Sequence, residues 1–253
     1  MADASPLPAP PATLLDGAAL FLDFDGTLVA LSARPESIRV SPETRALLPA
    51  LARALDGRVA VVSGRPALDI LAHLGIDPAS PGFAVAGSHG LETIWPDGRH
   101  DRPARSPALD RALARFEAEA AAMPGVVVEA KPLGVSLHYR QAPAYQAACE
   151  ALGAEMAAGT DLEIQHGKMV CELKMHGADK GDAVRRLAAV APLAGARPVF
   201  VGDDLTDEAG FRAATALGGA GVLVGARAPT AAAYALADVD AVHRWLGTLA
   251  GTD

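Results

Sequence analysis

The sequence predicts an α/β fold: a doubly wound, Rossmann-like parallel sheet interrupted by an inserted α+β segment. Three observations carry this reading. Short apolar runs recur along the 253-residue chain, each ending in Gly, Asp or Ser, as strands buried on both faces do. Ala- and Leu-rich stretches of helical periodicity lie between several of these runs, the alternation of a parallel sheet covered on both sides. From about Arg102 to about Lys174 the rhythm changes, and apolar and polar residues alternate as they do in strands with one open face.

Residues 1–13 are rich in Pro and Ala, with neither a basic leader nor an apolar stretch, and read as a flexible tail. The first part of the core is expected over residues 14–101. It holds strands at Ala19 to Phe24, Arg58 to Val62 and Phe83 to Ala86, and a helix at Glu43 to Leu55. The insert, residues 102–174, opens with a helix at Leu109 to Ala122 and continues through alternating segments at Val126 to Ala130 and Val135 to Arg140. A second helix, Ala142 to Ala158, and another alternating pair complete it. Over residues 175–253 the core resumes with a helix at Lys180 to Ala191 and strands at Pro198 to Val201 and Val222 to Val224.

Composition excludes several function classes. Hydrophobic residues make up 51% of the chain and charged residues 21%, which suits a packed core and not a disordered chain. A net charge of −8 argues against a nucleic-acid partner, because backbone affinity comes from Lys and Arg neutralising phosphates. No apolar run approaches the roughly 20 residues needed to cross a bilayer, so no membrane partner is expected. The two cysteines, Cys149 and Cys171, fit neither a metal-ligand spacing nor a disulfide framework, and the expected setting is a reducing cytoplasm.

Four short segments carry the candidate chemistry, each directly after an apolar strand or at the start of a helix. Asp23-Phe24-Asp25-Gly26-Thr27-Leu28 places two carboxylates at a strand end, where ligands bind in an open parallel sheet. Phosphate monoesters hydrolyse very slowly, so a catalyst needs a nucleophile, charge neutralisation and a proton for the leaving group. Asp23 is suited to attack and Asp25 to shuttle the proton. The run Gly202 to Glu208 packs four acids into six residues after another strand, and such acids repel one another unless a cation is present. A hard cation such as Mg²⁺ fits this oxygen-only set, with Asp203 the direct ligand and Asp207 behind it or bound through water. Ser63-Gly64-Arg65 offers a hydroxyl, a freed backbone amide and a guanidinium to an anion, although Arg65 serves equally to cap a helix or pair with an acid. Lys180, before Gly181, opens a helix whose amides and ammonium face negative charge.

In kind and order, these four segments resemble the four motifs of the haloacid dehalogenase superfamily, across the whole core. The resemblance implies that Asp23 is nucleophile and metal ligand, and that Asp25 is acid/base and a metal ligand through its backbone carbonyl. It further implies that Ser63 and Lys180 hold the phosphoryl group, and that Asp203 completes a Mg²⁺ site. The position of the insert, between Ser63 and Lys180, resembles the C2 type of cap on sugar-phosphate phosphatases. A closer resemblance, to trehalose-6-phosphate phosphatases, rests on Ser63-Gly64-Arg65, Gly87-Ser88-His89-Gly90, Glu129 to Lys131, Leu137 to Arg140, Asp179-Lys180-Gly181 and Gly202 to Glu208. It implies trehalose 6-phosphate as substrate and a functional link to a trehalose-6-phosphate synthase. Other sugar phosphatases or phosphomutases acting on sucrose, mannosyl or hexose phosphates remain as alternatives, as does a non-catalytic phosphosugar-binding regulator.

Within the insert, strand alternation puts Ser136, His138 and Arg140 on one face, and Lys168, Val170 and Glu172 on one face. These polar faces suit a hydroxyl-rich ligand, with Lys131, His138, Arg140, Lys168 and Glu172 as candidate sugar contacts, and they suit a solvated sheet surface equally.

Overall fold

The computed structural model describes residues 7–31, 38–167 and 169–250. In chain order the elements begin with β1 (Ala18–Leu22), α1 (Pro42–Ala54), β2 (Val59–Val62), α2 (Ala67–Leu74), β3 (Ala84–Gly87), β4 (Glu92–Ile94) and β5 (His100–Asp101). There follow α3 (Pro107–Ala120), β6 (Val127–Lys131), β7 (Gly134–His138), α4 (Gln146–Ala157), β8 (Leu162–Gly167) and β9 (Val170–Met175). The chain continues with α5 (Lys180–Leu187), β10 (Arg197–Gly202), α6 (Asp207–Ala216), β11 (Ala220–Val224), β12 (Tyr234–Leu236) and α7 (Val239–Ala250). Two compact units result, Met1–Asp101 with Ala178–Asp253, and Arg102–Gly177.

The first unit is built on an eight-stranded sheet in the order β12-β11-β10-β1-β2-β3-β4-β5. Pairing is parallel from β12 to β3 and antiparallel at β4 and β5. The central strands are apolar throughout because each feeds two cores. In β1, Leu20 and Leu22 enter one cluster while Ala19 and Phe21 enter the other; Val59 and Val61 of β2 divide from Ala60 and Val62 in the same way. One core is closed by Leu48 and Leu51 of α1, Ile70 and Leu74 of α2, and Val242 and Leu246 of α7. The opposite core is closed by Val184 and Leu187 of α5 with Phe211 of α6.

The sequence reading of residues 1–13 as a tail does not describe residues 7–13. Leu7 packs against the second core, the Pro8 carbonyl accepts from the Ala235 N–H at 3.0 Å, and a short 3-10 turn begins at Ala12. An apolar foothold and a backbone bond outweigh the local Pro/Ala composition. Residues 1–6 lie outside the described residues.

The second unit is a four-stranded antiparallel sheet, β6-β7-β9-β8. Its own core joins Leu109 and Phe116 of α3 and Cys149 and Leu152 of α4 to Val135, Leu137, Cys171 and Leu173 of the sheet. Period-2 alternation then sends Ser136 and Glu172, which are register partners, to the opposite face.

Candidate active site

At the carboxyl end of the first unit's sheet, β1 and β10 are parallel neighbours, so the residues just beyond them are brought side by side. Asp23 follows β1, its N–H donating to the Val201 carbonyl at 2.9 Å, and Asp203 follows β10. The chain leaves Asp23 through Gly26, which has φ +83°. A Cβ there would lie 2.3 Å from an Asp203 carboxylate oxygen, so only glycine allows the two loops to approach this closely.

Lys180 opens α5 and reaches into the acids. Its ammonium, 3% exposed, donates to Asp23 Oδ1 at 2.7 Å and to Asp207 Oδ1 at 2.6 Å. Burial alone would lower its pKa, but Asp207 and Asp23 outweigh burial and hold it well above the ordinary lysine value. Asp207 uses its other oxygen to accept from the Asp203 and Asp204 amides, both at 2.9 Å. It therefore anchors the 203–207 turn and Lys180 together, behind Asp203. Asp204 is exposed and accepts from the amide and hydroxyl of Thr206 at 2.8 and 2.6 Å, which closes the turn.

Asp23, Asp203 and Asp207 each bring a carboxylate oxygen within 4.8 Å of the others. Burial first, then Asp207 and Asp204, push the Asp203 carboxyl up to about 7. Burial likewise raises Asp23, against the pull of Lys180. Asp203 Oδ1 is buried with no hydrogen-bond partner among the described residues. Crowded, desolvated carboxylates with an unsatisfied oxygen form a donor set that a hard divalent cation fits.

Ser63 follows β2, 2% exposed, and its Oγ accepts from the Arg65 amide at 3.2 Å. The Arg65 guanidinium forms a two-pronged bond to Asp25, Nε to Oδ2 at 2.6 Å and Nη2 to Oδ1 at 3.1 Å. Of the roles read for Arg65 (phosphate contact, helix cap or partner to an acid), the structure shows the pairing with an acid, its fork on Asp25 in the strong bidentate geometry. Gly64 lies under His89, where a Cβ would come 2.6 Å from the ring.

The candidate sugar contacts fall in the second unit. Lys131 donates to Glu172 at 2.8 Å, and His138 pairs with Glu129 at 2.7 Å. Glu129 sits below its ordinary range because hydrogen bonding by His138 and the charge of Lys131 overcome its burial. Arg140 does not join Ser136 and His138 in the ladder: β7 ends at His138, so the alternation stops before it. Lys168 lies outside the described residues. Tyr139 is turned into the core of its unit, and Trp95 bonds Asp101 through Nε1 at 2.6 Å.

Sequence reasoning passed over Arg227. It donates to the Asp203 carbonyl at 2.8 Å and to Glu208 at 2.7 Å, so it fastens the acidic turn from a distant loop that carries no motif of its own.

The trehalose-phosphatase family model matches residues 21–240. A "Probable trehalose-phosphate phosphatase" of Sinorhizobium fredii is 41% identical, over 94% of this chain and 88% of its own. A trehalose-6-phosphate phosphatase of Escherichia coli is 37% identical, over 90% and 85%. The solved C-terminal domain of the C. albicans trehalose-6-phosphate phosphatase shares the fold, with a TM-score of 0.81 at 23% identity over 98% and 99% of the two chains. With the four motif segments assembled at the carboxyl ends of the central strands, the chain belongs to the trehalose-phosphatase family and is a phosphatase of the haloacid dehalogenase fold.

Proposed function

We propose that the enzyme hydrolyses trehalose 6-phosphate to trehalose and orthophosphate, with Mg²⁺, through a phosphoryl group carried on Asp23. The observation that carries the reaction is Asp23 at the end of β1, bonded to Lys180, with Asp25 two residues on and oriented by the Arg65 fork. The substrate rests on the names of the relatives at 41% and 37% identity.

Asp23, Asp203 and the Asp25 carbonyl would hold the ion, with Asp207 supporting Asp203 from behind. A bound Mg²⁺ supplies positive charge that offsets the carboxylates and the phosphoryl oxygens. A carboxylate oxygen of Asp23 attacks phosphorus, the bond from phosphorus to the sugar oxygen breaks, and Asp25 gives that oxygen its proton. Asp25 then takes a proton from a water whose oxygen attacks phosphorus, which breaks the bond to Asp23 and releases orthophosphate. Lys180 orients Asp23 and offers charge to the phosphoryl oxygens, while the Ser63 hydroxyl, accepting from Arg65, still has its own proton to donate. Residues 102–174 act as the cap, and Lys131, His138 and Glu172 offer fixed donors and acceptors to the disaccharide. The two unbridged cysteines suit a cytoplasmic enzyme linked to a trehalose-6-phosphate synthase.

Phosphate release from a panel of sugar phosphates tests the substrate. Trehalose 6-phosphate should be cleaved in preference to sucrose 6-phosphate, and the opposite order would overturn the substrate while leaving the reaction class. EDTA should abolish turnover and Mg²⁺ restore it, and Asp23→Asn should be inactive. Turnover by that variant would instead favour a mechanism without a phosphoryl carrier on Asp23.

A further inference from the structure

Apart from Asp23 and the acidic run Gly202 to Glu208, one carboxylate is buried among the described residues of the first unit. Glu92, on β4, is 2% exposed. Its Oε1 accepts from the Ala67 amide at 3.1 Å and the Ser88 hydroxyl at 2.8 Å, and its Oε2 meets His100 Nε2 at 2.8 Å. Burying a carboxylate is costly unless every lone pair is used. An apolar residue would fill the volume, but it would leave the Ala67 and Ser88 donors without this acceptor.

What those donors do explains the placement. Ala67 is the first residue of α2, immediately after the Ser63-Gly64-Arg65-Pro66 turn. Ser88 and His89 hold the same turn from its other side: the Ser88 amide donates to the Arg65 carbonyl at 2.8 Å and the His89 amide to the Ser63 carbonyl at 2.9 Å. Both residues have left-handed backbones, φ 51° and 57°, which non-glycine residues adopt only when surroundings fix them. The segment is also tied to the helix that opens with Lys180, because Arg186 of α5 donates to the Gly90 carbonyl and Thr93 Oγ1, each at 2.8 Å. One carboxylate thus joins both sides of the turn that carries Ser63 and Arg65.

We infer that Glu92 is a positioning residue which, through Ser88 and Ala67, holds the Ser63-Gly64-Arg65 turn in the shape that grips phosphate. The inference rests on the reading of Ser63 as a phosphate contact, but not on the identity of the sugar. It separates two affinities: Glu92 bonds Ala67 and Ser88, which flank the phosphate turn, and among the described residues it has no hydrogen bond to Asp23, Asp203 or Asp207. Loss of its acceptor should weaken phosphate and leave Mg²⁺ alone.

The test is calorimetric titration of the whole enzyme with inorganic phosphate at saturating Mg²⁺, and separately with Mg²⁺. For Glu92→Leu the phosphate Kd should rise about tenfold or more, as expected for losing hydrogen bonds to a charged group, with Mg²⁺ affinity unchanged. Glu92→Gln keeps the Oε1 acceptor and should recover most of the phosphate affinity. If Glu92→Leu does not fold, Ser88→Ala carries the test, with a several-fold rise in phosphate Kd of about threefold expected for one lost bond. Unchanged phosphate affinity in a folded variant, a parallel loss of Mg²⁺ affinity, or wild-type enzyme that does not bind phosphate would each overturn the inference. Wild-type enzyme that binds phosphate yet leaves trehalose 6-phosphate intact would sink the substrate reading alone.

Discussion

Lys180 is where the charges of the site converge, and removing it exposes how they balance. Its ammonium offsets Asp23 and Asp207 at 2.7 and 2.6 Å, with all three side chains at most 4% exposed. Stripping one partner from a buried ion cluster strands the rest, so Lys180→Met should cost about 3–5 kcal/mol of folding stability. Adding Asp207→Asn should return part of that loss, because one stranded charge is then gone; urea denaturation of the single and double variants measures it. Simple additivity of the two single changes would contradict the coupling. Asp23, Asp203, Ser63 and Lys180 were legible in the sequence because each sits one step beyond a strand or at a helix start. Glu92 and Arg227 were not, since Glu92 acts on Ala67 across 25 positions and Arg227 on Asp203 across 24, and neither lies in a motif.

Elements deliver these residues, and α5 shows how. It begins with a reciprocal cap: the Asp179 carboxylate accepts from the Asp182 amide at 2.8 Å, and the Asp182 carboxylate accepts from the Asp179 amide at 3.1 Å. Lys180 is the first helical residue, so fraying there would release its ammonium. Asp179→Ala should cost about 0.5–2 kcal/mol and lower kcat more than it lowers Mg²⁺ affinity, as urea titration, steady-state kinetics and calorimetry would register. In the insert's sheet the corresponding group is Glu129, held below its ordinary value by His138 and Lys131 against its own burial. A carboxyl with a depressed folded pKa stabilises the fold above the unfolded value, near 4.5, and the contribution drains away as pH falls through the folded value. Wild type should therefore lose stability relative to Glu129→Gln as pH drops below about 4.5, and a pH-independent difference would count against it. The parallel strands were legible because burial on two faces leaves an unbroken apolar run. The two- and three-residue strands β4, β5 and β12 are too short to show a period, and Glu92 and Thr93 break the apolar pattern in β4.

At the scale of the molecule, the change of sequence rhythm near Arg102 marks two units with separate cores, and nature has placed different reporters in each. Both tryptophans, Trp95 and Trp245, are buried in the cores of the unit that carries the catalytic acids. Both cysteines are buried in the core of the unit Arg102–Gly177. Burial raises both thiols, Cys171 to about 11, with Cys149, Glu150 and Glu172 adding to it. The thiolate is the reactive form, so the native enzyme should resist alkylation at neutral pH and yield two labelled cysteines only once that core opens. A smaller unit buries a smaller fraction of its surface and has less stability to lose. Urea should therefore expose the thiols at a lower concentration than it changes tryptophan fluorescence. Coincident midpoints for the two probes would instead show a single cooperative unfolding of the whole chain.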